Sequence, residues 1–314
     1  VIETIRANGL DFACLTAGPA GGPLALLLHG FPDTAHTWTE TMSVLAAEGY
    51  RTVAPFMRGY HPTPVPADGD FTTRALGADV LGLIDALGRK TAVVVGHDWG
   101  AYAAYTAANA SPERVSKLVT VAIPHPRTLR VVNATPRRLY RLRHFFILRL
   151  PGTAARLRRK GLAGIDGLYR RWSPVWDFPA SELEHVKACF SVPGALEAAL
   201  AYYRALSVVR PDRTAFARTR VPTLVFYGLD DGAADPPLFE ASRAFFTPEP
   251  KLVAVPRAGH FLHREQPALF TRAPEASPQI TPIICETLAR PPRSPWRPLR
   301  SAGTMAPNTP IPTT

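Results

Sequence analysis

The stretch "VVVGHDWGAY", residues 93–102, sets an apolar, β-branched run directly before Gly96-His97-Asp98-Trp99-Gly100 and a small-residue, helix-like run directly after it. A strand that turns sharply into a helix presents the residue at the turn upward, with the first N–H groups of the helix pointing toward it. Glycines two positions to either side permit the close backbone approach this turn demands. The residue so presented is Asp98, an acid where the geometry suits a nucleophile. Taken alone, "GHDWG" has a rival reading, an Asp that caps the helix starting at Trp99.

Short, continuous β-branched runs recur at ALLLH (25–29), RTVAP (51–55), TAVVVG (91–96), KLVTVAI (117–123), TLVFYG (223–228) and KLVAVP (251–256), as in strands buried on both faces. Helix-like stretches lie between them at 37–47, 72–88 and 99–109, the last ending at the Ser111-Pro112 break. The alternation predicts an α/β fold with a mostly parallel central sheet flanked by helices. It stops after Ile123 and resumes near Val221. The stretch between, 125–215, is helix-like, rich in Arg, Leu and Ala, and broken at Pro151-Gly152 and Pro193-Gly194. It predicts an inserted helical lid over the C-terminal edge of the sheet. The chain thus divides into a core of 1–124 and 216–270, a cap of 125–215, and a Pro-, Arg-, Ser- and Thr-rich tail, 271–314, whose composition predicts disorder.

At 314 residues the chain has ample material for a buried core. Cys14, Cys189 and Cys285 are scattered without paired spacing, so neither a disulfide framework nor a metal site is expected, and reduced thiols point to the cytoplasm. No signal-like segment opens the sequence and no stretch is long enough to span a bilayer, so a soluble protein is expected. The formal charge of +11 raises a nucleic-acid partner. The arginine excess lies in 127–171 and in the tail without interleaved aromatics or nucleic-acid signatures, so none is expected. Attraction of acidic substrates is a weaker use of the same charge.

Three further segments converge on Asp98. His29-Gly30-Phe31-Pro32-Asp33 follows the strand at 25–29, where its loop can aim the N–H of Phe31 at the same point as that of Trp99, forming an oxyanion hole. Asp231, in "FYGLDDGAADP", and His260, in "VPRAGHFLH", follow the strands at 223–228 and 251–256. Each falls at the C-terminal end of a predicted strand, where open α/β sheets gather their sites. Asp230 and Asp235 compete for the acid role. His263 competes with His260 but is read as a polar surface residue.

Together "HGFPD", "RGY" (58–60), "GHDWG", "YYR" (202–204) and "AGH" (258–260) resemble the α/β-hydrolase superfamily and, within it, the epoxide hydrolases, over about residues 1–270. The family's order of nucleophile, acid and histidine, and its spacing of the acid three residues after Gly228, imply Asp98, Asp231 and His260 as the triad. A carboxylate can displace a leaving group at saturated carbon, giving an ester that a His-activated water then hydrolyses. The resemblance maps one ring-opening lid donor to Tyr203. The other falls seven residues before Pro151-Gly152, at His144, in place of the usual tyrosine and as in a subset of the family. It implies a small-molecule epoxide and water as substrates, with no metal or organic cofactor. His61 replaces the family's Gly after "RGY", and the prolines in "REQPALFTRAPEASPQITP" interrupt its closing helix. Two alternatives stay open: a haloalkane or haloacid dehalogenase using the same Asp98, with Trp99 and either Trp172 or Trp176 holding the halide, and a catalytically silent ligand-binding homologue. A serine-type esterase is excluded by the elbow residue.

Overall fold

The computed structural model describes residues 1–128, 135–206 and 212–271. Eight strands form one sheet in the order β1-β2-β4-β3-β5-β6-β7-β8: β1 (Ile2–Ala7), β2 (Leu10–Ala17), β3 (Leu24–Leu28), β4 (Arg51–Pro55), β5 (Ala92–His97), β6 (Val115–Val121), β7 (Thr223–Gly228) and β8 (Lys251–Val255). From β4 to β8 all neighbours run parallel, whereas β1 and β2 are antiparallel. β3, β5 and β7 are buried at every residue, as continuous apolar runs in a covered parallel sheet should be.

The sequence reading located six of these strands and missed β1 and β2. Their signal was present in "IETIRANGLDFACLTA". Asn8 and Gly9 take φ of 43° and 80°, the two left-handed positions of a hairpin turn that Asn-Gly favours, and Ala7 pairs with Leu10 across it.

Helices α1 (Thr39–Ala47), α2 (Thr73–Ala86) and α3 (Trp99–Ala110) pack on the sheet. Thr72 caps α2 by accepting from the N–H of Ala75. α3 is small and apolar almost all round, matching its burial between the sheet and α2. Between β6 and β7 the described residues form α4 (Pro136–Ile147), α5 (Thr153–Trp172), α6 (Glu184–Ser191) and α7 (Ala195–Ala205). Thr135 caps α4, with Pro136 in its first turn, and α5 is broken where Lys160, Gly161 and Leu162 turn left-handed. After β7 comes α8 (Pro236–Ser242), and after β8 two short helices, Leu262–Glu265 and Pro267–Thr271. Phe270 is fully buried, so ordered packing continues past the first of the interrupting prolines, Pro267, to Thr271. The tail expected to be disordered otherwise lies outside the described residues.

Arg58 of "RGY" ties four parts of this framework together. Its guanidinium, 3 % exposed, grips the Asp79 carboxylate of α2 at 2.6 and 2.5 Å, and Asn8 at the hairpin turn donates to the same carboxylate at 2.7 Å. Its carbonyl accepts from the Tyr202 hydroxyl of α7 at 2.8 Å. Arg58→Met is expected to cost about 3–5 kcal/mol, because it leaves a buried carboxylate without its charged partner and with Asn8 alone donating to it. Urea unfolding followed by circular dichroism measures this.

Candidate active site

Asp98 stands where β5 passes into α3, with φ 50° and ψ −117°. A non-glycine residue in such a region costs about 1–3 kcal/mol and persists only where its surroundings impose it. Here a Cβ on Gly100 would lie 2.2 Å from the Leu28 carbonyl oxygen, so the helix starts hard against β3. The capping reading fails: Asp98 makes no side-chain cap bond. Its Oδ1 instead accepts from the N–H of Phe31 at 2.8 Å, across the sheet from the β3 loop. Gly30 passes so close that a Cβ there would lie 2.4 Å from Oδ1 and 2.6 Å from the Trp99 nitrogen. The Phe31 N–H supplies the hydrogen bond on that carboxylate, and the Gly30 backbone also passes close to the Trp99 nitrogen.

His260 Nδ1 lies 2.9 Å from Asp231 Oδ2, and its Nε2 lies 3.5 Å from Asp98 Oδ2 without forming a hydrogen bond. Asp231 is fully buried, its other oxygen taking the N–H groups of Ala233 and Ala234 at 2.6 and 3.0 Å. Burial alone would keep the His260 ring neutral, but the Asp231 and Asp98 carboxylates outweigh it and push its pKa up to about 10. Burial would raise Asp98 as well, but His260 and the Phe31 N–H hold it below the usual range.

A histidine raised from 6.5 to about 10 on folding contributes stability that is whole below the lower value and is lost as pH climbs through the higher one. The stability advantage of wild type over His260→Gln is therefore expected to shrink between pH 7 and pH 10. Denaturant unfolding of both proteins at the two pH values tests the sign.

The competing residues have other partners. Asp235 faces Arg137, Arg138 and Arg141 of α4 at 3.9, 3.4 and 3.6 Å, and Asp230 is only half-buried. His263 is not a surface residue. It is 2 % exposed, bonded through Nε2 to Thr37 Oγ1 at 2.6 Å and stacked on Trp38, because the short helix at 262–265 turns it inward. One ligating atom from each of His263, His97 and Asp33 lies within 4.8 Å of the others, the grouping best placed among the described residues to hold a metal. Each already serves the protein: Nε2 of His97 bonds the His260 carbonyl at 3.0 Å, and Asp33 accepts from the N–H of Thr34.

Several positioning residues escaped the sequence reading. The Trp172 carbonyl, at the end of α5, accepts from the N–H groups of both Gly232 and His260 at 3.0 Å. Glu265 accepts from the N–H groups of Gly259 and Phe261 at 2.7 and 3.0 Å and from Ser173 Oγ at 2.5 Å, bracing the His260 loop. His29 takes the Met57 N–H on Nε2 and so donates from Nδ1 to the Gly30 carbonyl, fixing the loop that carries Phe31. Only a capping-box-like glance at "GHFLHRE" could have flagged Glu265; the carbonyl of Trp172 carries no signal in sequence.

Tyr203 and His144, the expected lid donors, both lie near Asp98. Tyr203 is buried edge-on to Trp99 and Phe31, ring centroids 5.0 and 5.6 Å apart, and its hydroxyl has no hydrogen-bond partner among the described residues. His144 lines the same cavity as Asp98, Tyr102 and His260, with Ile123, Leu142, Phe145 and Leu238 among its apolar walls. Its Nδ1 lies 2.9 Å from the Arg141 carbonyl, and burial lowers its pKa to about 4. Trp172 stacks edge-on near His260 at 5.2 Å, whereas Trp176 packs with Tyr169 and Phe178. The indole N–H groups of Trp99 and Trp172 are buried without hydrogen-bond partners among the described residues. Among the described residues no helix is long and apolar enough to cross a membrane.

Comparison with known proteins places this geometry. Residues 23–267 match the family described as the alpha/beta hydrolase fold. The AB hydrolase superfamily protein YfhM of Bacillus subtilis is 30% identical over 273 residues, covering 86% of this chain and 95% of the relative. Epoxide hydrolase A of Mycobacterium tuberculosis is 28% identical over 307 residues, covering 86% of this chain and 94% of its own. The crystal structure of epoxide hydrolase A from Mycobacterium thermoresistibile superposes with a TM-score of 0.70 at 26% identity, covering 85% of this chain and 94% of that one.

Proposed function

The chain belongs to the α/β-hydrolase superfamily and its epoxide hydrolase family, and from that membership we propose that it converts an epoxide to a vicinal diol through an ester on Asp98. The observation that carries this reading is the division of labour between the two carboxylate oxygens: Oδ1 is held by the Phe31 N–H, while Oδ2 lies toward His260 Nε2.

In the first step Oδ2 attacks an epoxide carbon, the ring C–O bond breaks, and the Tyr203 hydroxyl gives its proton to the oxygen released, regaining one later from solvent. His144 is a poorer donor than its type suggests. A carbonyl only accepts, so Nδ1 carries the hydrogen bonded to Arg141, and the neutral ring offers a lone pair at Nε2. In the second step His260 takes a proton from water, which attacks the ester carbonyl. The oxyanion forms on Oδ1, already beside the N–H of Phe31, with that of Trp99 as second donor. Collapse expels the diol, whose oxygen takes the proton back from His260, and Asp98, left as the acid, releases the second water proton to solvent and returns to the carboxylate, balancing the proton that Tyr203 regains. Forming the ester removes one of the two carboxylates that hold the proton on His260, so the ring becomes a base in the step that needs one. The chemistry requires only the epoxide and water. Residues 125–215 are assigned as the cap that excludes bulk water, over a core of 1–124 and 216–270.

A dehalogenase reading draws on the unpartnered indoles of Trp99 and Trp172, which could hold a departing halide. The buried, unpartnered Tyr203 hydroxyl and the family favour the epoxide. The test is a panel of aryl and alkyl epoxides and matched alkyl bromides. Diol release from the epoxides supports the proposal, and halide release without diol formation overturns it.

A further inference from the structure

Away from Asp98 and His260 the cavity wall is mostly apolar, and it carries two polar side chains, Tyr102 and His144, to which the hydrolytic cycle above gives no part. Tyr102 lies one turn along α3 from the nucleophile, and burial keeps the proton on its hydroxyl, which has no hydrogen-bond partner among the described residues. It is a donor in search of an acceptor. His144, on α4, is fixed in the opposite sense. With Nδ1–H donating to the Arg141 carbonyl at 2.9 Å, its Nε2 is an acceptor in search of a donor. A donor and an acceptor on one small apolar wall are complementary to a hydroxyl group, which accepts once and donates once.

We propose that His144 and Tyr102 select epoxides bearing a hydroxyl group beside the ring, the substrate O–H donating to His144 Nε2 and its oxygen accepting from Tyr102. The same wall disfavours an epoxy acid. A carboxylate would meet the lone pair of His144, and Arg138 and Arg141, on the same helix, face Asp235 rather than standing free to receive it. The inference rests on the epoxide reading and deepens it. A site built around a substrate hydroxyl discriminates against the analogue that lacks it, because the protein groups are left unpaired.

The experiment compares kcat/KM for 3-phenylglycidol, its O-methyl ether and plain 1-phenyl-1,2-epoxypropane. The ether keeps the accepting oxygen and replaces the donated hydrogen with a methyl group, so the change of the alcohol-to-ether ratio on altering His144 reports on His144. Wild type is expected to favour the alcohol by about tenfold. His144→Phe should bring that ratio to about one, while His144→Gln, whose amide oxygen can accept, should retain most of it. Tyr102→Phe should lower turnover of both oxygenated substrates relative to the plain epoxide, which keeps the test open if His144→Phe fails to fold. Turnover of all three by wild type without preference for the alcohol overturns the selection proposed here and leaves the hydrolase reading intact. Turnover of none of them, nor of any simple aryl epoxide, overturns the hydrolase reading and this inference with it.

Discussion

A His260→Gln variant exposed to an epoxide substrate is expected to accumulate a covalent adduct one whole epoxide heavier than the protein, on the peptide containing Asp98, while steady-state diol release falls by about 10²–10⁴-fold. The first step draws on Asp98 and a ring-opening donor, and both remain. The second needs a base, and glutamine has none. Its amide can still bond Asp231, so the fully buried carboxylate keeps a partner and the fold is expected to survive. Intact and peptide mass spectrometry reads the outcome. An adduct carrying only an alkyl group would show displacement of a halide instead. A folded variant that slows turnover without ever gaining mass would sink the ester mechanism.

Asp98→Ala should abolish turnover, by about 10⁴-fold or more, and should also abolish the adduct in the His260→Gln background. Alanine removes the attacking oxygen and the oxygen that faces the Phe31 N–H at 2.8 Å, yet it leaves both glycines of the elbow and the apolar packing around it unchanged. A complementary check uses the wild-type chain for a single turnover in ¹⁸O-labelled water. The oxygen that leaves in the diol comes from Asp98, so the label should appear first in the Asp98 carboxylate and only in later turnovers in the product. Label in the first diol would mean that water attacks the epoxide directly, with Asp98 as its base.

Much of this was legible in the chain because local rules and global fold agree there. The run 93–102 carried the strand, the turn and the helix in ten letters, and the glycines at 96 and 100 are needed because a Cβ on them would lie 2.3 and 2.2 Å from the Gly100 and Leu28 carbonyl oxygens. Asp231 and His260 were found because each follows a strand end, and register does the rest: Gly96 lies opposite Leu28 and Thr120, and Gly228 opposite Val255. The hairpin of β1 and β2 was missed although its Asn-Gly turn was in plain view. The burial of His263 was not legible, since a polar residue three positions past His260 reads as a turn until the helix at 262–265 rotates it against Trp38. The direction of the His144 proton was equally closed to sequence, because it depends on which carbonyl its Nδ1 meets.

The bonds at Trp172 also constrain how the molecule can breathe. One carbonyl oxygen fastens the end of α5 to the amides of Gly232 and His260, so lifting α5 there would pull the loops that carry Asp231 and His260 along with it. At the other end α4 meets the core through Arg137, Arg138 and Arg141 facing Asp235, together with the Arg141 guanidinium on the Ala234 carbonyl, contacts beside the cavity rather than beneath the triad. The proposed cap is expected to stay fastened at Trp172 and to part along α4. Hydrogen exchange would show it as amides of α4 that trade with solvent long before those of Gly232 and His260, letting substrate in while the chemistry stays assembled.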